Sequence, residues 1–293
     1  MRIEWPTLGL IGFCYGLWGV ALAVLPPIFL PAAVLLATLT IALHASLQHE
    51  ALHGHPFENN ALSAALVFVS LNLCIPFIRF RDQHLAHHLD SNLTDPYDDP
   101  ESNYLDPAIW RGLTKPVQLI LIANNTLLGR LILGPFVALW IFWSDDLRRM
   151  RGGDRAILRV WLGHAVLTTA VVYLIVLSPM PIWAYCLSCY FAMGILKIRT
   201  YLEHQAHERA TGRTVIIEDR GLLAFLFLNN NFHVVHHQHP KVPWYELPEK
   251  YFANREMYLK RNGGYLYKSY AQIFRRHMFR AKDPVPHPLW PGN

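Results

Sequence analysis

Hydrophobic and polar positions fall in long separate blocks along this chain. No Asp, Glu, Lys or Arg lies between Trp5 and His49, or between Val160 and Leu196. Each block exceeds the roughly 20 apolar residues that one membrane crossing needs and suffices for two. Prolines divide them. Pro26, Pro27 and Pro31 split the first block into helices over 8–25 and 32–48, and Ser178-Pro179-Met180-Pro181 splits the second into 157–177 and 182–196. Two further apolar stretches, 61–78 and 117–143, are long enough to enter a bilayer. The second carries Asn124, Asn125 and Arg130, which are ill suited to face lipid.

Charge at the flanks sets the orientation. Arg148, Arg149, Arg151, Arg155 and Arg159 precede the second hairpin, and Lys197 and Arg199 follow it, so both of its ends are expected at the cytoplasmic face. If only one of 61–78 and 117–143 crossed, that assignment would invert downstream. Both are therefore expected to be interfacial or re-entrant. The predicted fold is an all-α integral membrane protein: four transmembrane helices in two hairpins, interfacial helices, and a cytoplasmic histidine-rich cap. The alternative is six spans. A single domain is expected over residues 1–293, with the chemistry in 49–116 and 197–293.

Composition agrees with this pattern. Apolar residues make up 53% of the 293 positions and charged residues 16%, too few charges to cover a soluble domain. That excludes a nucleic-acid binder, a secreted disulfide scaffold and a disordered chain. Cys14, Cys74, Cys186 and Cys189 all lie in apolar runs and imply no disulfide framework. The apolar run behind Arg2 is read as a retained anchor because a second apolar segment follows it. From Lys241 onward ten Lys and Arg face four Asp and Glu. There Tyr265 to Lys282 suits a helix on anionic headgroups or an ordinary solvated helix.

Candidate chemistry resides in the histidines. His49-Glu50-Ala51-Leu52-His53, His84-Leu85-Ala86-His87-His88 and His233-Val234-Val235-His236-His237 are spaced for helix faces, and His204 follows Glu203 just beyond the second hairpin. Each box is expected to offer its imidazoles to a common point. Nine imidazoles exceed the four ligands of one zinc ion, whereas two five- or six-coordinate irons can use them all. Three rivals explain less. His49-Glu50-x-x-His53 matches a zinc-protease motif but leaves the other boxes idle. A carboxylate di-iron bundle needs E-x-x-H on two helices, and only Glu50-x-x-His53 fits. A metal carrier is expected to hold its ligands at mid-membrane depth, not beyond the helix ends.

The boxes H-x-x-x-H, H-x-x-H-H and H-x-x-H-H, in this order around two hairpins, resemble the membrane fatty acid desaturase and hydroxylase superfamily, which includes alkane hydroxylases and carotenoid ketolases. The run from His236 to Pro248 is similar to the tail of its third box. Arg199-Thr200-Tyr201-Leu202-Glu203-His204 is similar to the extra histidine motif of alkane hydroxylases. The acidic stretch Asp95 to Pro100 also looks familial. The resemblance implies two iron ions held by His49, His53, His84, His87, His88, His204, His233, His236 and His237. His55, His207 and His239 fall outside the matched positions, and His44 and His164 lie within helices. Asp82, Glu50 and Glu203 are candidates to orient imidazoles, and Asn229 or Asn230 to anchor a water.

The chemistry so implied is oxygen-dependent attack on an unactivated C–H bond of an acyl chain, giving a double bond; hydroxylation or ketolation of alkanes, lipids or carotenoids is the alternative. No flavin or nicotinamide fingerprint, iron–sulfur cysteine set or haem motif is present, so electrons are expected from a ferredoxin, rubredoxin or cytochrome. A bacterial inner membrane is the expected location.

Overall fold

The computed structural model describes residues 3–290, apart from the side chain of Asp90. Its helices run in the order Trp5–Ala23 (α1), Leu30–Leu52 (α2), Asn60–Val67 (α3), Phe77–His87 (α4), Pro107–Gly112 (α5), Lys115–Asn124 (α6), Leu127–Ile132 (α7) and Gly134–Arg151 (α8). Arg155–Leu177 (α9), Ile182–Thr200 (α10), Leu222–Leu226 (α11), His233–Gln238 (α12), Leu247–Ala253 (α13), Arg255–Arg261 (α14) and Tyr270–His277 (α15) follow. Strands Ile216–Ile217 (β1) and Leu266–Tyr267 (β2) form one short parallel pair. The fold is helical. Among the described residues three helices, α1, α2 and α9, are long and apolar enough to cross a membrane. Helix α10 is 19 residues long but ends in Lys197 and Arg199, and it is not among those three.

The hairpin boundaries follow local chemistry. Prolines sit in the first turns of α1 and α2, where a missing N–H costs nothing. The Asp154 side chain accepts hydrogen bonds from the Ala156 and Ile157 amides and caps α9. The apolar stretch 61–78 does not continue as one helix. Asn72 accepts from the Cys74 and Ile75 amides in an Asx turn, Leu73 takes a φ of 63°, and Pro76 precedes α4. The stretch 117–143 is broken likewise, because Asn124–Asn125 end α6 and the Thr126 hydroxyl caps α7. There the chain turns so tightly that any Cβ at Gly129 would collide with the Ala123 carbonyl.

The chain divides into two compact units: Met1–Arg81 with Phe136–Ile195, and Asp82–Pro135 with Leu196–Asn293. The first packs small residues where helices approach; Ala21, Ala33, Ala37 and Ala42 are fully buried. Its outward positions are apolar, with Phe13, Leu35, Val166, Tyr173, Val176 and Trp183 all more than half exposed. That inversion belongs to a surface solvated by lipid. Inside, polar groups find partners. Arg79 grips Asp146 through Nε and Nη2, with Nη2 2.7 Å from Oδ1, and Trp161 Nε1 donates to the same carboxylate at 2.8 Å. In the second unit Ile216, Phe232, Val234, Val235, Leu247, Tyr251 and Tyr258 form an apolar core behind α12.

Candidate metal centre

Seven of the nine box histidines lie in the second unit. Helix α4 carries His84 and His87. His88 extends its last turn, its amide bonded to the His84 carbonyl at 3.2 Å. Helix α12 carries His233, His236 and His237. His204 follows α10 and is pinned by a bridge to Thr214. These side chains sort into two groups, with ligand nitrogens in each within 4.8 Å of one another: His84, His88 and His236, and His87, His204, His233 and His237. In the first unit, His49 lies in the last turn of α2 and His53 is its C-cap, their ring centroids 5.0 Å apart.

The boxes therefore do not aim all their imidazoles at one point, as their spacing had suggested. Successive helical residues are rotated by about 100°, so i+4 lies about 40° to one side of i and i+3 about 60° to the other. Residues i and i+4 stay together while i+3 departs. In the second box His84 and His88 share a group and His87 leaves for the other. In the third box His233 and His237 stay together and His236 leaves. The two boxes thus exchange one member each. The adjacent rings of the two groups touch, with the His88 and His237 rings stacked at 4.4 Å.

The same atom faces inward throughout. In one group His204 Nε2 lies 2.9 Å from His87 Nε2 and 3.1 Å from His233 Nε2. In the other, His88 Nε2 lies 2.9 Å from His84 Nε2 and 3.1 Å from His236 Nε2. An Nε2 atom holds either one hydrogen or one lone pair. One Nε2 facing two others cannot hydrogen-bond both in ideal geometry, whereas a central cation can take a lone pair from all three. The donor set fits a metal ion.

Behind the rings, Nδ1 is held by acceptors. Asp99 holds His87 at 2.7 Å, Glu101 holds His84 at 2.9 Å, and the Asn230 side-chain oxygen holds His233 at 3.1 Å. Asn230 in turn donates to Glu203 at 3.0 Å. A proton kept on Nδ1 leaves the Nε2 lone pair for a metal. Burial alone would depress the His87 pKa, but the Glu101 and Asp99 carboxylates outweigh it and raise it to about 9. His204 and His233 are pushed well below the usual imidazole range, first by burial and then by neighbouring imidazoles. The Glu203 carboxyl is pushed up by burial against the pull of Arg199.

Asp99 and Glu101 were missed as orienting groups. The only signal for them was the acidic stretch after the second box, since their target rings lie 12 and 17 positions away. Glu203 acts through Asn230, and its own carboxylate is 3.8 Å from His233 Nδ1. Asn230 holds an imidazole directly, while Asn229 bonds the Trp244 carbonyl. Asp82 is exposed, and Glu50 lies 3.9 Å from His49 Nδ1. His55 is held by Glu4 at 2.8 Å and His207 by the Arg209 amide. His44 and His164 are satisfied within the first unit, His44 by the Tyr15 hydroxyl at 3.1 Å and His164 by the Leu73 carbonyl at 3.0 Å. The family model for fatty acid desaturases matches residues 8–269, a span containing all nine box histidines. No curated protein sequence matches the chain.

Proposed function

The chain belongs to the fatty acid desaturase family, and from that premise we propose that it is a di-iron acyl desaturase acting on chains dissolved in the bilayer. The paired Nε2 triads carry this reading. For metal–nitrogen bonds of about 2.1 Å, donors at 90° lie about 3.0 Å apart and donors at a tetrahedral angle about 3.4 Å. The spacings of 2.9 and 3.1 Å suit donors gathered around one ion, and the number of imidazoles suits two five- or six-coordinate irons. His84, His88 and His236 would hold one iron, and His87, His204, His233 and His237 the other. His49 and His53 join the ligand set on the strength of their H-x-x-x-H spacing within the matched span.

When bound, two irons supply oxygen activation and hydrogen abstraction: two neighbouring methylenes, O2, two electrons and two protons become one double bond and two waters. The chain's own task is placement. Asp99, Glu101 and Asn230 fix their rings by holding the Nδ1 protons, and burial of His84, His87, His233 and His236 keeps bulk water from the donors. Electrons come from a ferredoxin-, rubredoxin- or cytochrome-type partner. Spans at α1, α2, α9 and α10 would place both ends of the second hairpin at the cytoplasmic face of a bacterial inner membrane. A cysteine at exposed Pro179 would then react with an impermeant thiol reagent in intact cells, and one at Gly153 would not.

Metal content and lipid products test the reading together. The purified protein should hold two irons per chain, and expressing cells should accumulate an unsaturated acyl product. Hydroxylated or ketonic products would assign the same centre to the alternative reaction. A single zinc with Glu50-dependent proteolysis, or metal uptake by proteoliposomes without oxygen consumption, would overturn the di-iron enzyme.

A further inference from the structure

A second site lies wholly within the first unit. The N-terminal half of α9 and the segment leading into α4 enclose an open pocket of about 230 Å³, walled by Phe68, Phe77, Ile78, Val160 and Leu167, with Arg159 on its lining. A cavity of about 150 Å³ already accommodates benzene, so this one admits the end of an alkyl chain. His164 braces the wall through its bond to the Leu73 carbonyl. Gly163 lines the pocket, and a Cβ built there meets nothing within 4 Å.

The charges beside the pocket are unbalanced. Arg148 is paired with Asp145 and Arg149 with Asp154. Arg155 and Arg159 have no carboxylate partner among the described residues. Arg159 folds back along the helix and donates from Nε to the Arg155 carbonyl at 3.2 Å, drawing the two cations together. Like charges at i and i+4 repel, and cations in the first turns of a helix oppose its dipole. Both penalties vanish if an anion binds there. Helix α9 is 23 residues long, about 35 Å, against a hydrocarbon core of about 30 Å. Arg155, the first residue of the helix, is therefore level with lipid headgroups, and Arg159, about 6 Å further along, reaches them by the length of its side chain.

We infer that this is a binding site for an anionic phospholipid, with the phosphate between Arg155 and Arg159 and one acyl chain end in the pocket. Two unpaired cations select an anionic headgroup over a zwitterionic one, and apolar walls select a lipid over free phosphate. The site is independent of the reaction at the histidines.

Native mass spectrometry of protein recovered from nanodiscs of equal phosphatidylglycerol and phosphatidylcholine tests it. The wild-type protein should retain at least tenfold more phosphatidylglycerol. The double variant Arg155→Gln/Arg159→Gln should lose that preference. Gly163→Phe, which fills the pocket, should lose the retained lipid with its melting midpoint unchanged in detergent. Equal retention of both lipids, or retention undiminished in the arginine variant, would overturn the site. Displacement of the lipid by a stoichiometric acyl thioester would also overturn it, making the pocket a substrate chamber.

Discussion

His164 in the first unit and His87 in the second are both buried and both hydrogen-bonded, yet only His87 sits in a group of side chains that could hold a metal ion. His164 Nε2 meets a neutral carbonyl, that of Leu73. His87 has a carboxylate behind it, Asp99 at Nδ1, and another imidazole in front, His204 at Nε2. The first arrangement gives Nε2 a neutral acceptor and knits a loop to a helix. The second raises the basicity of the ring and turns its Nε2 toward another imidazole nitrogen. A histidine that could hold a metal is thus marked by its two neighbours, and burial alone does not distinguish it.

The sharpest way to break this comparison is to delete each ring. His87→Ala or His237→Ala should abolish turnover, at least about 1000-fold, and lower the iron content per chain, read by elemental analysis. His164→Ala should leave the iron count at the wild-type value. Equal iron loss in both would erase the distinction between the two units.

Charge burial offers a second contrast. In the first unit Asp146 is matched by a cation of the protein itself, Arg79. Arg79→Met should therefore destabilise the fold by about 3–5 kcal/mol, because it strands a buried carboxylate. Replacing both partners by apolar residues should recover most of that loss in thermal unfolding, with iron content unaffected.

In the second unit the charge that matches Asp99 and Glu101 in the metal-free fold is a proton on His87. The pKa of His87 is raised to about 9 in the metal-free fold, against the usual value near 6.5. Its contribution, about 3 kcal/mol, is fully present below about pH 6.5 and is lost as pH rises through 9. The melting temperature of metal-free protein should fall across that window. The iron-loaded protein should show no such fall, because metal binding has already displaced the proton.

The smallest expected effect comes from the group behind the ring. Asp99→Asn keeps the shape of the acceptor and removes its charge, and it should weaken iron binding by roughly 10–100-fold. The same change should flatten the pH dependence of the metal-free protein. A variant with wild-type iron affinity and an unchanged pH slope would remove Asp99 from the site.

Much of this was legible in the residue order. Apolar blocks cut by Pro26–Pro27 and Ser178–Pro181 marked α1, α2, α9 and α10 within a few residues, because a long apolar helix is a matter of local composition. The breaks at Asn72 and at Asn124–Asn125 showed only as polar residues in apolar stretches. Their effect depended on side chains capturing nearby amides.

The histidine boxes stood out for the same reason as the helices: spacing at 3.6 residues per turn is a local property. It does not say which members of a box will share a partner. His87 meets His204 across 117 positions and His88 meets His236 across 148. Those meetings, the exchange of one histidine between boxes, and the turning of Asp99 and Glu101 onto Nδ1 atoms were decided by tertiary structure alone. A helix sets the angles between its own side chains, but only packing against distant segments decides what stands at the end of each one.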